Sequence, residues 1–216
     1  MITTAEPVRS HHVTISITLL LWFSAIFVLS FSQAFIPERG EPPLNLLITF
    51  TLSVGSFIVA FWSFASFRNY ILNLDIRFLI MLHSWRMLGM GFIMLYIFDK
   101  LPPLFAFLAG FGDAATAIAA VFLAYSLFTK SQGVSKKSVW RWNTFGLIDF
   151  IVAVTIGILT QTDALLFADS GINSDLMVVF PFALIPGFLV QVFTITHLII
   201  YLQLNNNYRN SQYITI

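Results

Sequence analysis

Apolar runs of about two dozen residues, separated by short polar connections, organise this chain. Six such runs fall at roughly 13–35, 44–67, 76–98, 102–128, 139–160 and 179–204. Each approaches or exceeds the ~20 residues a helix needs to cross the hydrocarbon core of a bilayer. Inside a bilayer the backbone must satisfy its own hydrogen bonds, so runs of this length predict helices. Barrel strands would be about half as long and would alternate in polarity. The polar connections carry the expected breakers: "IPERGEPPLN" (36–45), "RNYILNLDIR" (68–77), "DKLPP" (99–103), "KSQGVSKKS" (130–138) and "QTDALLFADSGINSD" (161–175). The pattern predicts an all-α, polytopic integral membrane protein: one domain spanning 1–216, with six transmembrane helices.

Composition sharpens this reading. The 216 residues are 58% hydrophobic and 10% charged, against about 25% charged in soluble domains, which points to lipid as the solvent. The absence of cysteine removes disulfides, thiolate metal sites and thiol catalysis. No basic block supports nucleic-acid binding. No phosphate-binding loop, dinucleotide fingerprint or nucleophile–base triad is present, so the sequence gives no support for an enzyme.

Basic residues set the expected orientation. Arg9, Arg68, Arg77, Lys130, Lys136, Lys137, Arg141 and Arg209 fall on one side, and Arg39 and Lys100 on the other. By the positive-inside rule both termini are expected in the cytoplasm and residues 161–175 outside. Trp140, Trp142, Tyr70, Tyr125 and Tyr201 fall near the predicted cytoplasmic boundary, as an aromatic belt would. "WRMLG" (85–89) with "FAFLAGF" (105–111) and "WNTFG" (142–146) with "FALIPGF" (182–188) suggest a parallel repeat of helices three–four and five–six.

The chemistry lies in the polar residues inside the spans. Ionisable groups there are costly and usually face the bundle interior or a wet cavity. At 1.5 Å of rise per residue, Arg86, Asp113 and Asp149 each fall roughly 15 Å into the membrane. They are expected to form a charge cluster, joined by Asn143 and by Gln191, which shares a stripe with Thr194 and His197. His83 and His197 are expected to face one cavity as ligands or proton relays. Pro186 is expected to kink helix six. Met87, Met90 and Met94 follow His83 on nearly one helical face, the pattern a soft cation would need, although methionine stripes also serve as adaptable packing.

The string "HSWRMLGMGFIMLYIFDKLPPLFAFLAGFGDAATAIAA", with "WNTFGLIDF" and the C-terminal "PFALIPGF…H", resembles a group of uncharacterised bacterial multi-span membrane proteins. They share H-x-x-W/R-x-x-G, G-x-G-D and W-N-x-x-G-x-x-D elements over about residues 80–200. The resemblance implies a multi-pass protein of the bacterial inner membrane and no known activity. The reading from the residues is a protein that binds or transports a small solute, ion or proton through a cytoplasm-facing cavity. Two alternatives stay open: a redox protein with one haem held between His83 and His197, and a structural subunit of a larger membrane complex. The bilayer is the expected partner, and homo-oligomers are compatible with six spans in 24.4 kDa.

Overall fold

The computed structural model describes residues 6–38, 41–129, 134–161, 171–205 and 214–215. The described side chains begin at Val13 and omit those of 214–215. Arg39, Lys130 and Arg209, on which part of the count of basic residues rests, lie outside the described residues, as does the side chain of Arg9.

The architecture is helical. Six helical segments are long and apolar enough to cross a membrane. They are α1 (Glu6–Phe31), α2 (Leu44–Ser63), a composite third span, α6 (Pro103–Thr129), α7 (Lys136–Leu159) and a sixth span ending in α8 (Val190–Asn205). A short helix, α3 (Ala65–Leu72), follows α2 where the sequence suggested only a polar turn. Two short strands, β1 (Val134–Ser135) and β2 (Ile214–Thr215), pair in parallel.

Local chemistry accounts for the boundaries. Asp75 caps the third span by accepting from the backbone N–H of Arg77 at 2.9 Å, the usual role of aspartate at a helix start. The Arg77 guanidinium also grips this carboxylate at 2.6 Å and holds its pKa below the usual carboxylate value, against a smaller opposing effect of burial. Pro103 opens α6, where a missing N–H costs nothing.

Two spans depart from the regular helix the sequence suggested. The third is broken into α4 (Ile76–Leu82), a seven-residue 3-10 stretch (His83–Gly89) and α5 (Met90–Ile97). The sixth begins with a π-helical turn (Ile185–Leu189) containing Pro186, later than the expected start near 179. Proline lacks the N–H of the regular ladder, and its ring crowds the preceding turn, so the expected kink takes the form of a π turn here.

Buried apolar side chains form several clusters. At one end, Ile76, Ala124, Leu127, Val139, Ile200 and Leu204 pack together. At the other, Phe92, Leu101, Phe105, Ala109 and Met177 do so. The polar residues of the spans lie between these two ends. A stripe of small residues on α6, including Ala109, Gly110, Ala114, Ala117 and Ala120, is buried and lets neighbouring helices approach closely. The exposed surface is rich in Leu, Phe, Ile and Trp, which suits contact with lipid.

The repeat motifs do not occupy like environments: Trp85 is exposed, whereas Trp142 is buried.

Candidate functional site

The 3-10 stretch aligns the polar residues of the third span. Ile80, His83, Arg86, Gly89 and Phe92 recur at intervals of three and are all buried, while the residues between them are exposed or half-buried. In an α-helix each step of three drifts by about 60° around the axis. In a 3-10 helix residues three apart eclipse, so His83, Arg86 and Gly89 stack along one edge against α6. The same phase turns Met87, Met90 and Met94 outward, where they are exposed. The His83–methionine face suggested by the sequence therefore does not form. Among the described residues, no group of three or more His, Asp or Glu side chains is placed to hold a metal ion.

Arg86 is 2% exposed and sits at the centre. Its Nε donates to Asp113 Oδ1 on α6 at 2.7 Å. Its Nη2 donates to Asp149 Oδ2 on α7. Its Nη1 donates to the Gly146 carbonyl at 3.1 Å and to His197 Nε2 at 3.2 Å. The guanidinium carbon also lies 3.7 Å from the centroid of the Phe150 ring, a cation–π arrangement that is strongest away from water. One cation thus ties the third, fourth, fifth and sixth spans together. One guanidinium against two carboxylates leaves one negative charge in excess when both are ionised.

The hydrogen-bond directions fix the histidine tautomers. A guanidinium has only donors, so His197 Nε2 accepts and Nδ1 carries the proton. That proton goes to Asn143 Oδ1 at 2.7 Å, and Asn143 Nδ2 donates to the His197 carbonyl at 3.1 Å. Thr196 Oγ1 donates to the Phe193 carbonyl at 2.8 Å. Its oxygen is then the acceptor for His83 Nε2 at 3.0 Å. Among the described residues, His83 Nδ1 is left as a buried acceptor without a hydrogen-bond partner. Such atoms usually mark an internal water or a functional group.

His83 and His197 are both fully buried, and their ring centroids are 4.0 Å apart. Trp142 and Phe193 wall the pair. This geometry does not fit one haem shared between the two imidazoles. A macrocycle would have to lie between rings that already touch, and both nitrogens of His197 are engaged.

Glycine makes the cluster possible at three positions. A Cβ on Gly112 would fall 1.6 Å from Asp149 Oδ1, and one on Gly146 would fall 2.6 Å from the His197 ring and 3.1 Å from Arg86 Nη1. Gly89 does the same for Asp113, at 2.4 Å from Oδ2.

The structure thus brings Arg86, Asp113, Asp149, Asn143, His83 and His197 together. It does not add Gln191 to them. Gln191 is buried, but its partners are Ser53 Oγ at 2.5 Å, Thr49 Oγ1 at 3.3 Å and the Pro186 carbonyl at 3.3 Å. It joins α2 to the π turn: on the regular helix α8 two steps of three carry Gln191 about 120° around the axis from His197, and so toward α2. Trp142 also departs from expectation. It is buried, with Nε1 donating to the Thr116 carbonyl at 3.0 Å, rather than standing in an aromatic belt. It lies four residues before Gly146, on the inward face of α7. Sequence reasoning missed Thr196, Phe150 and Gly112. The spacing of Thr196 beside His197 gave no signal, but Gly112 stands in the G-x-G-D element.

A cavity of about 460 Å³ adjoins the cluster. Leu47 and Phe50 of α2 and Ile151 and Val154 of α7 line its sides, and Thr194 and Asp113 line its inner part. Its other walls include Phe105 and Met177, which belong to the apolar cluster remote from Asn205 and Lys136. A cavity on the cytoplasmic side was expected. With the termini cytoplasmic, this one lies in the opposite half of the bundle. The half that holds the C-terminal end of α8 is instead filled by Trp142, Ile200 and Leu204 packing.

Six candidate spans around a buried guanidinium and two carboxylates define a multi-pass membrane-type helical protein with an internal charge cluster. The chain belongs to the family described as Domain of unknown function (DUF8737), whose model matches residues 43–205. That match covers five of the six spans and every residue of the cluster. No curated protein and no solved structure matches the chain.

Proposed function

We propose that this protein binds and moves a small solute, ion or proton across a membrane, with the Arg86–Asp113–Asp149 cluster as its working site. The observation that carries the reading is the charge count. A single guanidinium serves one buried and one half-buried carboxylate, and an uncompensated charge out of water is strongly unfavourable. A proton or another cation would neutralise the excess. Asp113 supports an exchange role because its side chain keeps 16% exposure and lines the cavity. The unpartnered His83 Nδ1 supplies an acceptor beside His197, and His197 itself touches Arg86. Together they extend the polar cluster inward from Asp113 at the cavity to the histidine pair.

The bacterial inner membrane is the proposed location, with both termini cytoplasmic. Self-association remains part of the proposal through the exposed apolar helix faces. Reconstitution into proteoliposomes tests the reading: the protein should dissipate an imposed proton or cation gradient faster than empty vesicles. Rates equal to those of empty vesicles for every cation tried would remove it.

A further inference from the structure

The cavity beside the cluster has a chemistry of its own. Its lining is overwhelmingly apolar, drawn from α2, α5, α6, α7, the sixth span and the segment before it, and among the described residues Asp113 is its single ionisable one. Ile151 both lines the cavity and is 66% exposed on the lipid-facing surface. The cavity rim therefore reaches the surface that meets acyl chains, and a ligand can enter sideways from the bilayer.

The inner part of the cavity is electrostatically defined. Asp113 Oδ1 is engaged by Arg86 Nε, and among the described residues no hydrogen bond reaches Oδ2. Arg86 is already shared with Asp149 and is covered by the Phe150 ring, which also lines the cavity. A ligand in the cavity thus meets a carboxylate oxygen beside the Phe150 ring, set in a cluster that carries a surplus negative charge when both aspartates are ionised. An anionic headgroup would add to that surplus. A neutral one would leave it uncompensated. A monocation would cancel it.

We infer that this cavity binds a membrane-partitioned amphiphile with a single cationic ammonium headgroup, its apolar body between α2 and α7 and its headgroup at Asp113. The inference rests on the cluster being the working site, and it names the ligand class that reaches it. Apolar burial supplies affinity, and the charge-assisted hydrogen bond to Asp113 supplies headgroup selectivity.

Photoactivatable dodecylammonium, with dodecanol and dodecanoate counterparts, tests this in nanodiscs of zwitterionic lipid with crosslinks mapped by mass spectrometry. The parent should be labelled on Leu47, Phe50, Ile151 or Val154. The ammonium probe should label about tenfold or more above the alcohol, the scale of one hydrogen bond to a charged group, and the carboxylate least. Asp113→Asn should bring ammonium and alcohol together, and Asp113→Glu should restore the difference. Val154→Trp narrows the cavity and should weaken labelling by all three.

Equal labelling by ammonium and alcohol in the parent, or labelling spread over lipid-facing helices and unchanged in Val154→Trp, would overturn the inference. Cation flux separates the two claims. If the parent conducts while showing no headgroup preference, the ligand assignment fails and the transport reading stands. If headgroup preference is present without flux in any cation gradient, the reverse holds.

Discussion

Arg86 Nε and Asp113 Oδ1 lie 2.7 Å apart, and Gly89, one 3-10 turn beyond Arg86, sits against the other oxygen of the same carboxylate. The second carboxylate, Asp149, takes the far end of the guanidinium. The two acidic partners are therefore redundant toward the cation, but the cation is not redundant toward them. Arg86→Leu leaves the buried Asp149 and the half-buried Asp113 without their shared cation and should cost about 3–5 kcal/mol, as breaking a buried ion pair typically does. Asp113→Asn should cost only about 1–2 kcal/mol, since the amide oxygen can still accept from Nε and Asp149 remains. Denaturation in detergent micelles measures both. An Asp113→Asn cost matching that of Arg86→Leu would contradict this order.

The glycines give a second, purely steric expectation. Gly112→Ala and Gly146→Ala each place a methyl group inside the cluster and should destabilise by about 1–3 kcal/mol, the usual scale of overpacking. Gly55→Ala and Gly91→Ala meet nothing within 4 Å. Helix propensity predicts that they leave the thermal midpoint unchanged or raise it slightly. Four thermal unfolding curves decide the matter.

Asn143 holds His197 at two points, Nδ1 and the backbone carbonyl. Asn143→Leu removes both bonds and leaves the imidazole N–H without an acceptor, a loss of about 1–3 kcal/mol. Trp142 packs beside His197 with centroids 5.5 Å apart, so its fluorescence should change in the same variant. An unaltered emission spectrum with unaltered stability would mean that Asn143 does not position the ring.

Orientation is open to labelling, because the chain lacks cysteine. Ser138→Cys and Glu41→Cys occupy exposed positions at opposite ends of the bundle. An impermeant maleimide applied to intact cells should label Glu41→Cys alone. Labelling of Ser138→Cys alone would invert the proposed topology.

Much of this arrangement was legible in the sequence because membranes make polar residues conspicuous. Arg86, Asp113 and Asp149 stood out as charges inside apolar runs, and their matching depths followed from helix rise alone. The glycines that admit them stand in the G-x-G-D and W-N-x-x-G-x-x-D elements, yet nothing in the spacing revealed that Gly112 faces Asp149. The 3-10 stretch was not legible, since "HSWRMLG" has no local feature that forbids an α-helix. Its consequence, the outward turn of Met87 and Met90, was therefore missed as well. Gln191 was misplaced for another reason: steps of three drift by about 60° each on a regular helix, so two steps turn Gln191 about 120° away from His197 on α8. The cavity depends on the spacing of α2 and α7, which no local pattern encodes.

The central claim is that the cluster works as well as packs, and one variant separates these roles. Asp149→Asn keeps the Arg86–Asp113 pair and cancels the surplus charge, so it should remain folded, with a thermal midpoint close to that of the parent. Proton and cation flux in proteoliposomes, measured for Asp149→Asn beside the parent at matched protein content, is the most direct test. The account predicts flux in the parent and its loss in the variant, restored in part by Asp149→Glu. Equal flux in parent and Asp149→Asn would contradict it, leaving Arg86 and its carboxylates as a packing lock.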